Sequence, residues 1–76
     1  MSPVRWTAER MEQLEAAARR GLRVELTTRR GTEYVVTAVR VAPVGRREAL
    51  VGRLPMTGEE LTFILDDIDS FQVIEG

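Results

Sequence analysis

Met11, Leu14 and Ala18 recur at spacings of three and four, which sets them on one side of a helix. Glu9, Glu12 and Glu15 fall on the opposite side. Arg19 and Arg20 close the segment, an order that complements the helix dipole and offers a Glu15–Arg19 pair. Thr7 stands where an N-cap belongs, and Trp6 before it can pack on Met11 as a hydrophobic staple. Gly21 supplies a left-handed C-terminal residue, followed by Leu22 as the apolar contact of a Schellman motif. The predicted helix covers about 8–20.

After Gly21 the period changes to two. In LRVELTTRRG, Leu22, Val24 and Leu26 point one way and Arg23, Glu25 and Thr27 the other, a half-buried strand that ends in a turn at Arg30 and Gly31. TEYVVTAVRVAP is β-branched but apolar on both faces in its middle, so it predicts a long second strand that bends from one packing layer to another. Pro43 to Gly45 break it. REALVGRL follows as a third strand with Gly52 as its expected bulge or kink, PMTG as a turn, and EELTFIL as a fourth strand with Leu61, Phe63 and Leu65 on one face.

The segment LDDIDSF places three aspartates among Leu65, Ile68 and Phe71. Between the fourth strand and a fifth, SFQVIE, there is room for a single helical turn, and Ile68 is the side chain that such a turn sends inward. Asp66 or Asp67 is expected to cap it and the remaining carboxylates to face water. A calcium loop spaces its ligands D-x-D-x-D-G and needs more oxygen donors than three neighbours supply. The segment is therefore expected to turn a corner, with no metal and no cofactor.

One helix followed by five short, strongly bent strands predicts an α+β domain in which a small antiparallel barrel is covered at one open end by the helix. A single domain over 1–76 is expected, with the barrel spanning 22–75. Its core should gather Met11, Leu14, Leu22, Val24, Leu26, Leu50, Leu61, Phe63, Leu65, Ile68 and Phe71.

Composition narrows the chemistry. A chain of 76 residues buries only about 60% of its extended surface on folding, and with no cysteine it has no disulfide or thiolate site to compensate. There is also no histidine, and all eleven basic residues are arginine, so Ser2, Ser70 and the seven threonines lack a histidine or lysine base. An enzyme is not expected. Eleven basic against twelve acidic residues give no global pull toward nucleic acid or anionic membrane. No signal peptide or spanning helix is legible, and a soluble cytoplasmic protein is the default expectation.

The helix end LEAAARRG from Leu14, the strand LRVELTTRRG following without a gap, and the corner L-D-x-I-x-S-F at Leu65, Asp66, Ile68, Ser70 and Phe71 together resemble the Rho-binding antiterminator family of bacteria, within the Sm-like (SH3-like) barrel fold. The corner alone is also similar to that of WYL domains. The resemblance implies a regulator without catalytic residues that binds the transcription termination factor Rho and blocks its RNA-binding surface. Such binding requires carboxylates set to meet arginines and lysines that otherwise hold phosphates. The matching positions are Glu9 and Glu12, with Glu15 on the same face, and Arg5 and Trp6 beside them form a candidate anchor pair. The family's run of aspartates before the helix is replaced here by SPVRWTA.

Two other readings compete. An Sm-type RNA-binding protein would carry an acidic residue and an asparagine after its long strand and a basic–glycine pair before its last, where this chain has VRVAPVG and LDDIDSF. RNA binding would then fall to the hairpin tips Arg29 with Arg30 and Arg46 with Arg47, provided that both lie on one side. A ligand-sensing or oligomer-forming module in the style of WYL domains would use exposed strand edges or a pocket lined by Arg40 and Arg53.

Overall fold

A computed structural model describes residues 6–74. Helix α1 runs Ala8–Arg20. Thr7 caps it, its hydroxyl accepting the Arg10 N–H at 3.2 Å. At the other end Gly21 adopts φ 65° and ψ 35°, its N–H donates to Ala18, and the Leu22 N–H donates back to the Ala17 carbonyl, which is the Schellman arrangement. Both ends are thus made by the residues the sequence indicated.

The buried stripe of α1 is centred differently. Leu14 and Ala17 are fully buried, whereas Met11 and Ala18 flank them half-buried. Arg19 reaches Glu12, at 3.1 Å, rather than Glu15. Residues seven apart lie two turns along the same side of a helix, a span that a long arginine side chain covers.

Five antiparallel strands follow: β1 (Arg23–Thr28), β2 (Glu33–Val44), β3 (Arg47–Arg53), β4 (Glu60–Ile64) and β5 (Ile68–Ile74), in the order β4-β3-β2-β1-β5. A 3-10 turn, Leu65–Asp67, joins β4 to β5. In β1, Val24 and Leu26 point into the core and Arg23 and Glu25 into solvent, as the alternation requires.

β2 belongs to two ladders. Residues 33–37 pair with β1 and residues 37–44 with β3, so that only Thr37 is shared. This is the physical meaning of a strand apolar on both faces: its two halves line different parts of the core. The bend falls at Val39, which is left out of the register between Ala38↔Gly52 and Arg40↔Val51. The bulge is therefore on β2 and not at Gly52, whose role is to let Val36 approach. A Cβ placed on Gly52 would lie 2.5 Å from the Val36 Cγ2.

The core gathers Leu14 and Ala17 of α1 with Val24, Leu26, Val36, Ala38, Leu50, Phe63, Leu65 and Ile68. Met11, Leu22, Leu61 and Phe71, expected inside, pack around it half-buried. Tyr34 of β2 meets Phe63 of β4 edge-on at 5.0 Å, although β3 separates those strands in the sheet order. The sheet is accordingly strongly curled. Its ends, β4 and β5, are connected through the corner, and among the described residues no ladder joins them. No helix among the described residues is long and apolar enough to cross a membrane.

Candidate functional site

The LDDIDSF corner is built inward. Leu65 and Ile68 are buried while Asp66 and Asp67 are exposed, so two apolar anchors hold a turn whose carboxylates face water. Neither aspartate caps the turn. The residue at its N-terminus is Ile64, with no side-chain hydrogen bond, and closure comes from the Ile68 N–H to the Leu65 carbonyl. The extended Ile64 backbone leads straight from β4 into the turn, leaving no preceding polar side chain to cap it. Asp69 falls at a register shift between Thr27↔Ser70 and Thr28↔Ile68, which lets β5 begin two residues earlier than its polar start suggests.

The Leu65 carbonyl carries a second hydrogen bond, from the indole Nε1 of Trp6 at 2.9 Å. The Trp6 ring lies flat on Phe71. Trp6 is thus fastened to the corner just before α1 and is half-buried in that contact. Arg5, its expected neighbour in an anchor pair, lies outside the described residues.

Glu9 and Glu12 are exposed on α1 and Glu15 is half-buried. Glu12 already holds Arg19, in a pair whose two side chains are 67% and 62% exposed, so the bridge is weakly held and open to exchange. The side of α1 turned away from Leu14 and Ala17 therefore offers carboxylates to solvent on a helix fixed at both ends.

The arginine tips lie apart. Arg29 and Arg30 occupy the turn before β2, Arg46 and Arg47 the turn region after it, so the length of β2 separates them. Arg40 is exposed on β2, and Arg53 on β3 is engaged with Glu60 of β4 at 3.1 Å. Neither lines the cleft described next.

A cleft of about 590 Å³ does open elsewhere, between the β1–β2 turn, β4 and the corner. Residues 28–30, Thr32 and Tyr34 line it from the β1–β2 region, and residues 61–64, Asp67 and Ile68 from β4 and the corner. The Arg29 N–H donates to the Asp67 carbonyl at 2.9 Å and ties the turn to the corner. Within the turn, the Thr28 N–H donates to the Thr32 carbonyl and the Thr32 N–H to the Thr28 hydroxyl. Sequence patterns did not reveal this cleft, because its lining joins residues 28–34 to residues 61–68, which lie about thirty positions apart and which no local rule brings together. Among the described residues no three acidic side chains converge as metal ligands.

No protein-family model matches the chain, and no curated protein matches its sequence significantly.

Proposed function

We propose that this protein is a non-catalytic regulatory binding protein of the cytoplasm that docks the acidic side of α1 onto a basic, phosphate-binding surface of a protein partner. Rho is the partner that the resemblance suggests. The carrying observation is the exposure of Glu9 and Glu12 on a helix whose other side buries Leu14 and Ala17. A rigid row of carboxylates meets arginine and lysine with little ordering cost, because the helix is already held by its two caps and by Trp6.

We read the curled sheet as an Sm-like barrel. Support for this comes from the two ladders of β2 and the Tyr34–Phe63 contact across the sheet.

The test is a fluorescence competition titration in which the protein is added to Rho from the same organism, pre-bound to labelled cytidine-rich RNA. Release of the RNA, lost when Glu9, Glu12 and Glu15 are together changed to Gln, is the expected result. RNA that stays on Rho removes Rho as the partner. Label that joins this protein directly, more weakly as salt rises, replaces the reading with direct RNA binding.

A further inference from the structure

The cleft beside the β1–β2 turn is a half-open concavity that shares no residue with the acidic helix face. Its volume of about 590 Å³ falls within the usual range for small-molecule pockets, roughly 300–1,000 Å³. Two aromatic rings are among its lining: Phe63 is buried, Tyr34 half-buried, and the two rings meet at 62°. The rim is polar and basic. Arg29 and Arg30 are exposed, and neither guanidinium has a hydrogen bond or ion pair with the described residues. Asp67 is the one acidic side chain lining the cleft among the described residues.

Two further observations separate this place from an ordinary arginine-bearing surface. The Arg29 N–H to Asp67 carbonyl bond ties the β1–β2 turn to the corner, so these two parts of the lining are held together before anything enters. Besides this, the Tyr34 hydroxyl makes no hydrogen bond among the described residues, so a donor stands beside the aromatic pair and the two cations.

We propose that this cleft binds a small amphipathic anion: a flat apolar body lying against Tyr34 and Phe63, and a carboxylate or phosphate held by Arg29 and Arg30. A planar guanidinium fork grips either oxyanion through two parallel N–H···O bonds, which fits an arginine pair better than a lysine pair would. The apolar body displaces water from the rings, and the adjacent cations select against neutral ligands of the same shape.

The experiment is an amide NMR titration of the full chain with indole-3-acetate as the carboxylate probe, uridine 5′-monophosphate as the phosphate probe, and inorganic phosphate as the control. Saturable shifts confined to residues 28–34 and 61–68 are expected with at least one organic probe. Which probe saturates identifies the carboxylate or the phosphate source. The double variant Arg29→Gln/Arg30→Gln should weaken that binding at least about tenfold, while Arg46→Gln/Arg47→Gln leaves it unchanged. Spectra of both variants outside the substituted turns should match the parent, which separates lost binding from lost folding. The proposal is overturned if neither organic probe gives saturable shifts, if inorganic phosphate alone reproduces them, or if both arginine pairs matter equally. None of these outcomes depends on whether Rho is bound.

Discussion

The rings of Trp6 and Phe71 are stacked with centroids 5.2 Å apart and planes within 7° of parallel. This contact joins the start of the described chain to its last strand. The indole N–H adds a hydrogen bond to the Leu65 carbonyl, 59 positions away, so Trp6 is held by an aromatic and a polar contact at once. Trp6 is the only tryptophan, and its emission therefore reports this docking directly.

Trp6→Phe keeps a ring on Phe71 but removes the donor. The Leu65 carbonyl retains its bond from Ile68, so the expected loss is about 0.5–1.5 kcal/mol. Trp6→Ala removes both contacts and should cost about 2–4 kcal/mol, somewhat below a fully buried aromatic because the ring is half-exposed. Urea unfolding followed by circular dichroism checks both values. A Trp6→Ala variant as stable as the parent would show that the clamp contributes nothing.

The corner separates structural from surface positions within two residues. Ile68 is only 1% exposed, and Ile68→Ala should cost on the order of 2–5 kcal/mol, enough to unfold so small a domain at modest denaturant. Asp67→Asn, on an exposed side chain whose structural contribution comes through its backbone carbonyl, should stay within about 0.5 kcal/mol. Thermal unfolding of the two variants side by side tests the contrast, and equal destabilisation would contradict it.

The Thr7 cap offers a local check. Its hydroxyl bond to the Arg10 N–H is exposed, so Thr7→Ala should cost about 1 kcal/mol and Thr7→Ser much less. Equal losses for the two substitutions would mean that the cap contributes through the methyl group and not the hydroxyl.

What was legible in the sequence is what local chemistry decides. Thr7, Gly21 and Leu22 announce the helix ends because capping bonds span only a few residues. Ile68 announces the corner because one apolar residue stands among carboxylates. The buried stripe of α1 was less legible, since Ala16, Ala17 and Ala18 are identical and periodicity cannot choose among them. Trp6 is fastened to distant partners, Phe71 and Leu65, to which no local rule points. The cleft joins residues 28–34 to residues 61–68, a juxtaposition set by the curl of the sheet and by no pattern along either segment.

Gly52 and Val36 put two general rules in opposition. Glycine within a strand weakens it, and replacing it by alanine should by itself gain roughly 0.5–1 kcal/mol. Against this, a Cβ on Gly52 would stand 2.5 Å from the Val36 Cγ2 and 2.8 Å from its Cβ. The γ-methyl can rotate away, but the Cβ is fixed to the backbone of β2, so one of the strands must shift within a ladder that pairs Gly52 with both Ala38 and Leu61. Overpacking of this kind costs about 1–3 kcal/mol, and Gly52→Ala is therefore expected to destabilise. Val36→Ala leaves a small cavity and costs on the order of 2 kcal/mol alone. In the double variant the new methyl occupies part of the vacated space, so the combined loss should fall short of the sum by about 1 kcal/mol, with the remaining Cβ contact preventing full recovery. A four-member denaturation cycle measures this coupling. Strict additivity would show that Val36 does not rest on Gly52, and the glycine would then owe its place to the neighbouring bulge at Val39 after all.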